Sequence, residues 1–369
     1  MASHLNRRTA LGLGTMATAG AVLGLPAVAA AAPSGGGGAS AGSGGAGGSG
    51  ASGGSGGSGG SGTSGASAGS AAEPTPLRAA RKVGRIYARE TAEAGGNWQA
   101  FVTVAGSSEV AVSDEPDTVL EAYSVNKIAV ATAVLDKVDR GLLALDQRVD
   151  VTEAIVVPGG DGIFSLDGAY PSSVTLGHVL AALLTVSDDT AVRLCGLVAP
   201  AAEINEILVA KGFPQTQVEP VANPNRFFLG RSTPRETHTL LQRLVAGTLL
   251  SPTSTAAILS RLRAPIAFTD GIRREMSSDE RLRIATKAGW FDFARHEAGI
   301  IFDPAGAPLL TYAIFADGQA GAEDFGATHP AVAARAAMGR AFLDTVDALS
   351  GDQAVRAARA PRYRPSNGG

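Results

Sequence analysis

Ser124-Val-Asn-Lys127 stands at the head of a segment with helical apolar spacing and places a hydroxyl and an amine three residues apart. The apolar periodicity and the glycine that ends the run predict a helix with Ser124 at its N-cap. Residues i and i+3 share a helix face, so a neutral Lys127 amine is placed to accept the Ser124 proton, and the positive helix end favours the alkoxide. The stretch therefore predicts a serine nucleophile with a lysine base.

Lysine usage supports this interpretation over a simpler one, in which a capping serine precedes a surface lysine. The chain holds 31 lysines and arginines, and only five of them are lysines: Lys82, Lys127, Lys137, Lys211 and Lys287. Arginine does not release its proton in proteins, so a composition rich in arginine retains lysine where a neutral amine or a compact charge is needed.

Two further motifs follow in order, Ser187-Asp-Asp189 and Thr286-Lys-Ala-Gly-Trp290. With Ser124-Val-Asn-Lys127, they match the order and rough spacing of the three motifs of penicillin-recognising serine enzymes. From about residue 75 to about residue 348 the chain resembles the class A β-lactamases and their penicillin-binding relatives.

The resemblance implies a role for each motif. By this resemblance, Ser187 would relay a proton to the leaving group, and Lys287 would hold the substrate carboxylate or lower the local proton affinity. The backbone N–H groups of Ser124 and Trp290 form the oxyanion hole. The remaining substrate-binding candidates are Asp189 and Gly289.

Structural alternatives stay open for the second and third motifs. Ser187-Asp-Asp189 is also a suitable helix N-cap cluster, and Lys287 is also compatible with an exposed charge on an edge strand. Two residues differ from those usual in the motifs of the family that the chain resembles. Asp189 replaces the usual asparagine and, when ionised, only accepts hydrogen bonds, while Ala288 lacks the usual hydroxyl. These departures predict weaker binding of penicillins.

Glu219-Pro-Val-Ala-Asn223 resembles the loop that carries the deacylating glutamate of the family. This makes Glu219 a candidate for activating the hydrolytic water, although the stretch from it to Ser232 is shorter than the pattern predicts. The alternative is a solvated loop carboxylate.

The ends of the chain predict export and tethering. Arg7 and Arg8 before an apolar stretch predict a twin-arginine-type signal peptide over residues 1–32, and hence a secreted or envelope protein. The alternatives are an ordinary secretory signal or an uncleaved anchor. Residues 33–74 are nearly all Gly, Ser and Ala, which predicts a disordered linker. Residues 350–369 are predicted to be a disordered basic tail.

The remaining residues, 75–349, predict an α+β fold. Strand patterns lie only near the two ends of this region, and helical patterns fill the middle. We expect an antiparallel sheet flanked by the terminal helices, built from residues 75–123 and 270–349, and an inserted all-helical lobe over 124–269. Such an arrangement places Ser124 where the lobes meet.

Other features limit the possible functions. The formal charge is −3, so nucleic acid is not an expected partner. Cys195 is the only cysteine and has apolar neighbours, which predicts a buried structural thiol. The histidines show no paired ligand spacing, so neither a metal nor another cofactor is expected. We expect a monomer without a stable membrane anchor after signal cleavage.

The sequence thus predicts a secreted serine hydrolase that acts on a β-lactam or a related amide or ester, such as a peptidoglycan-like substrate, through a Ser124 acyl-enzyme. Two alternatives stay open. One is a penicillin-binding D-alanyl peptidase or esterase that acylates but deacylates slowly. The other is a non-catalytic wall-binding relative.

Overall fold

The computed structural model describes residues 75–267 and 271–350. Ten α-helices are found there: α1 (Pro76–Ala94), α2 (Lys127–Asp139), α3 (Phe164–Asp167), α4 (Leu176–Thr185), α5 (Asp189–Val198), α6 (Ala201–Ala210), α7 (Pro234–Val245), α8 (Pro252–Leu262), α9 (Ser278–Arg281) and α10 (Pro330–Asp347). Short 3₁₀ helices cover Tyr123–Asn126, Gly271–Arg273 and Ala348–Ser350.

Ten strands form three sheets in these ranges. They are β1 (Asn97–Val104), β2 (Val112–Asp114), β3 (Leu120–Glu121), β4 (Arg148–Val151), β5 (Ser172–Thr175), β6 (Gln217–Pro220), β7 (Phe227–Ser232), β8 (Ile284–Phe291), β9 (Ala294–Phe302) and β10 (Pro308–Asp317). The largest sheet is antiparallel with the order β2-β1-β10-β9-β8, which makes β8 an edge strand. The smaller sheets have the orders β3-β7-β6 and β4-β5.

The five-stranded sheet separates two hydrophobic cores. On one face, residues such as Val102 and Ile314 pack with Val83 of α1 and Phe342 of α10. On the other face, Ile300 and other residues of β9 and β10 pack against the helices of the middle region and form the second core with them. Alternate residues of a strand point to opposite faces, so each central strand contributes to both cores.

Helix α1 shows how local signals set these elements. The Thr75 side chain accepts a hydrogen bond from Arg78 N at 3.3 Å, Pro76 occupies the first turn, and Gly95 follows the helix with a φ of 71°. These are the expected start and stop signals, and apolar residues at helical spacing turn one face of α1 to the sheet.

The predicted α+β architecture is confirmed: the terminal helices flank an antiparallel sheet, and helices dominate the middle of the chain. The expectation that strands lie only near the two ends of residues 75–349 was wrong, because the middle region contains β4, β5, β6 and β7. These strands are four to six residues long and pair within small sheets, so their hydrophobic patterns are too short to mark them.

The predicted signal peptide and linker lie outside the described residues, as does the predicted tail beyond residue 350. In the ranges that the structure describes, no helix has the length and apolar character needed to cross a membrane.

Candidate functional site

Ser124 lies inside the 3₁₀ turn Tyr123–Asn126, directly before α2. The expectation that it would be the N-cap of the helix was wrong by two residues, because Asn126 occupies that position. Tyr123 has a φ of 47°, which is uncommon for a bulky residue. The turn leaves Ser124 half-buried, while Asn126 anchors the segment by donating to the carbonyls of Leu229 and Arg231 at 2.7 and 3.0 Å.

Lys127 has no exposed surface and directs its amine toward the second motif. Its Nζ donates to Ser187 Oγ at 3.0 Å and to Asp189 Oδ1 at 2.8 Å, and it also donates to the Ser187 carbonyl. In the described part of the chain, no hydrogen bond joins Lys127 Nζ to Ser124 Oγ. Hydrogen bonds of catalytic groups are often loose without substrate, so this geometry leaves the predicted base role open.

The Ser187 hydroxyl bridges the first and third motifs. Its Oγ lies 3.0 Å from Lys127 Nζ and 2.9 Å from Lys287 Nζ, and all three residues are fully buried. Lys287 Nζ also donates to the carbonyl of Ala288 at 2.7 Å. The backbone φ of Ser187 is 56°, a strained value that the surrounding contacts maintain.

The two aspartates of the second motif have different tasks. Asp188 is buried and caps α5, because its Oδ1 accepts from Ala191 N at 2.9 Å. Asp189, in contrast, forms the ion pair with Lys127, and its side chain is 37% exposed. Asp188 therefore has the helix-capping role that the sequence offered as an alternative for this motif, whereas Ser187 and Asp189 contact Lys127.

A loop that the sequence analysis did not identify also borders this cluster. Asp161 N donates to Asp189 Oδ2 at 3.1 Å, and Asp189 N donates to the Asp161 carbonyl at 3.0 Å. Asp188 Oδ2 accepts from the backbone N–H groups of Ile163 and Phe164 at 2.7 and 2.8 Å. The available signal was an acidic residue between glycines in Gly159-Gly-Asp-Gly162, directly after Pro158.

Opposing effects set the protonation of the central groups. Burial lowers the pKa of Lys127, and the Asp189 carboxylate opposes this shift. The pKa of Asp161 is raised, first by partial burial and then by repulsion from Asp189, while Lys127 and Lys287 act in the opposite direction. Desolvation therefore favours a neutral Lys127 amine, and Asp189 favours the charged form.

Strand β8 brings the third motif against the turn that carries Ser124. A Cβ atom on Gly289 would lie 2.9 Å from Ser124 N and 2.7 Å from Val125 N, so only glycine permits this approach. Trp290 follows on the same strand, with its ring 4.7 Å from that of Phe325. The edge position of β8 leaves one side of the strand without a neighbouring strand in the described sheet.

Glu219 lies on β6 of the three-stranded sheet, with an exposed side chain and its backbone opposite Phe228. Hydrogen bonds join four of the predicted site residues: Lys127, Ser187, Asp189 and Lys287. Glu219 lies in a different sheet from Lys287. Its role in deacylation stays a prediction.

The family model described as the beta-lactamase enzyme family matches residues 79–346, which span all three motifs. The chain belongs to the beta-lactamase enzyme family. The fold is therefore that of the β-lactamases and related transpeptidases, and family membership supports a serine hydrolase.

Solved structures agree with this membership at the level of the fold. A β-lactamase from Sphaerobacter thermophilus is 24% identical with a TM-score of 0.60, and the match covers 72% of this chain and 97% of that one. A β-lactamase from Xanthomonas campestris is 20% identical with a TM-score of 0.62, covering 73% of this chain and 99% of that one.

A mutant of PBP-A is also similar, at 19% identity and a TM-score of 0.57, covering 74% of this chain and 99% of that one. That mutant was solved as an acyl-enzyme complex with penicillin G. A comparison with curated proteins found no significant match. In the described ranges, no group of three or more histidine, cysteine, aspartate or glutamate side chains is arranged to hold a metal ion.

Proposed function

We propose that this member of the β-lactamase family hydrolyses a β-lactam or a related amide or ester through an acyl-enzyme on Ser124. The observation that carries the proposal is the Ser187 hydroxyl, which lies within hydrogen-bonding distance of both the Lys127 and Lys287 amines beside the Ser124 turn. Such a buried pair of amines sharing one hydroxyl is suited to moving protons during acyl transfer.

In the first step, Ser124 Oγ forms a bond to the carbonyl carbon, and its proton passes to the neutral amine of Lys127. The backbone N–H groups of Ser124 and Trp290 stabilise the oxyanion, and the close approach at Gly289 supports this arrangement. The carbon–nitrogen or carbon–oxygen bond then breaks. Ser187 passes a proton from Lys127 to the leaving group, while Lys287 attracts the substrate carboxylate.

The second step is hydrolysis of the ester on Ser124, for which Glu219 is the candidate that activates water. Its exposed position on β6 favours a second candidate function, a penicillin-binding peptidase or esterase that releases its acyl group slowly. The two functions share the first step and differ in the lifetime of the adduct.

A time course of intact mass tests both, with penicillin G and with a simple phenyl ester as substrates. We expect the wild-type protein to gain the mass of the acyl group, and Ser124→Ala to gain none. Ser260→Ala removes an exposed hydroxyl and is the matched control. Absence of an adduct, together with absence of turnover of either substrate by the wild type, would contradict the proposal.

Persistence of the adduct distinguishes the two functions. Disappearance of the acyl adduct, with many substrate molecules turned over per protein molecule, supports a hydrolase. In that case, Glu219→Gln should lengthen the lifetime of the adduct if Glu219 activates water. An adduct that persists equally in the wild type and in Glu219→Gln supports the slowly deacylating alternative.

We propose that the protein acts outside the cytoplasm after export, as the N-terminal sequence predicts.

A further inference from the structure

Strand β8 ends in an aromatic residue that shares its side of the strand with two residues of the candidate site. Alternate residues of a strand point to the same side, so Lys287, Gly289 and Phe291 share one side of β8. Lys287 Nζ lies 2.9 Å from Ser187 Oγ, and a Cβ atom on Gly289 would lie 2.9 Å from Ser124 N. Phe291 therefore lies on the side of β8 that faces the nucleophile turn.

A ring contact agrees with this direction. The ring centroids of Phe291 and Tyr123 are 6.0 Å apart, with an angle of 34° between the ring planes. Tyr123 directly precedes Ser124 in the 3₁₀ turn. The rings of Tyr123 and Phe291 thus form a surface beside the nucleophile, which we call the aromatic platform.

The Phe291 ring leaves much of its apolar surface open to a ligand. The residue is 63% exposed, and Phe293 in the following turn is 51% exposed, so the exposed aromatic surface is not limited to one side chain. Contiguous apolar surface of this kind is typical of binding sites. Two residues of a strand span about 7 Å, so Phe291 lies within reach of a substrate whose carbonyl group is held beside Gly289.

The order of the groups along β8 assigns the aromatic platform to one end of the substrate. Under the proposed function, on which this inference rests, Lys287 attracts the substrate carboxylate and the Trp290 N–H stabilises the oxyanion. Phe291 follows Trp290, at the end of the strand opposite to Lys287. The carboxylate of a β-lactam is attached on the amine side of the scissile bond, so the acyl side extends toward Phe291.

The third motif changes its chemistry in the same direction. Ala288 offers no hydroxyl to a substrate carboxylate, which removes a polar contact, while Phe291 adds apolar surface two residues beyond the close approach at Gly289. We propose that the aromatic platform binds an aryl group on the acyl part of the substrate, and that Phe291 determines this specificity. Tilted and offset contacts between rings favour an aryl group over a small alkyl group.

The test compares kcat/KM for p-nitrophenyl phenylacetate and p-nitrophenyl acetate, which share a leaving group and differ by one aryl ring. Phe291→Ser should reduce the ratio of the two values by about tenfold, because the ring that contacts the aryl group is lost. Phe291→Tyr retains a ring and should leave the ratio within about twofold of wild type. Leu142→Ser alters an apolar residue that is 59% exposed after α2 and should not change the ratio. Thermal melting verifies that each variant folds.

Two results would overturn the inference. One is an unchanged ratio in Phe291→Ser. The other is an equal loss of kcat/KM for both esters, which would assign Phe291 to holding the Tyr123 turn in place rather than to specificity.

A binding measurement separates this inference from the proposed function. Absence of turnover of either ester by the wild type would count against the proposed function, whereas binding of intact penicillin G to Ser124→Ala, measured by calorimetry, does not require acylation. Adding Phe291→Ser to Ser124→Ala should weaken this binding by about tenfold. Equal affinities of the single and double variants would overturn the platform.

Discussion

Lys127 Nζ lies 2.8 Å from Asp189 Oδ1, and this ion pair joins a fully buried amine to a partly exposed carboxylate. In the second motif of the class A β-lactamases, the residue at this position is usually asparagine. The carboxylate opposes the burial that lowers the pKa of Lys127, so it acts against the neutral amine that the proposed mechanism requires.

Replacing this carboxylate should therefore change the pH dependence of acylation. In Asp189→Asn, the nearest carboxylate no longer opposes the effect of burial on Lys127, so the pKa of Lys127 falls further. We expect the acidic limb of the kcat/KM profile to move to lower pH, measured by hydrolysis of a chromogenic β-lactam or phenyl ester. Asp150→Asn alters an exposed carboxylate on β4 and should leave the limb unchanged. A limb that moves to higher pH would contradict the assignment of Lys127 as the base.

Removing the bridging hydroxyl should impair turnover strongly. Ser187→Ala separates the Lys127 and Lys287 amines from their shared partner, and proton transfer of this kind contributes about 10²–10⁴-fold to a rate. We expect a loss of kcat in this range in stopped-flow or steady-state assays, with thermal melting used to verify folding. Ser113→Ala removes an exposed hydroxyl and serves as the control. Unchanged kcat in Ser187→Ala would exclude the relay.

A methyl group on Gly289 should displace the strand from the nucleophile turn. Its Cβ would lie 2.7 Å from Val125 N and 2.9 Å from the Ala122 carbonyl oxygen, both backbone atoms. Displacement of the proposed oxyanion hole should reduce kcat by about two to three orders of magnitude in Gly289→Ala. Gly326→Ala is the matched control, since its nearest neighbour is a side-chain oxygen at 3.4 Å. Equal activity of the two variants would show that the strand adapts without cost.

Stability should decrease as the pH falls below neutrality because two buried histidines resist protonation. Burial lowers the pKa of His238 to about 4 and that of His296 to about 3. Between these values and the usual 6.5, the unfolded chain binds more protons, so the free energy of unfolding falls as the pH falls.

The contribution of His238 is measurable by substitution. His238→Gln retains a partner for Thr103 Oγ1, which lies 2.9 Å from the imidazole Nε2, and removes the titration. Denaturant unfolding between pH 4.5 and 6 should show a slope smaller by up to about 1.4 kcal/mol per pH unit. His178→Gln changes an exposed histidine and should retain the wild-type slope. An unchanged slope in His238→Gln would mean that its imidazole protonates without cost in the folded state.

The sequence determined the helices with strong capping signals and long apolar periodicity, such as α1 and α7. It also determined the three motifs and their order along the chain. These features are local: a cap, a hydrophobic period or a short motif is visible in a few neighbouring positions.

The tertiary structure alone decided how the motif residues share their tasks. Ser187 and Lys287 are 100 residues apart in sequence, yet their side chains lie 2.9 Å apart because β8 and the start of α5 meet beside α2. The division between capping Asp188 and ion-paired Asp189 likewise depends on which side chain faces Lys127, and the contact of Asp161 with this cluster depends on a loop anchored by Asp188. Contacts between distant segments depend on packing of the whole core, which no local pattern encodes.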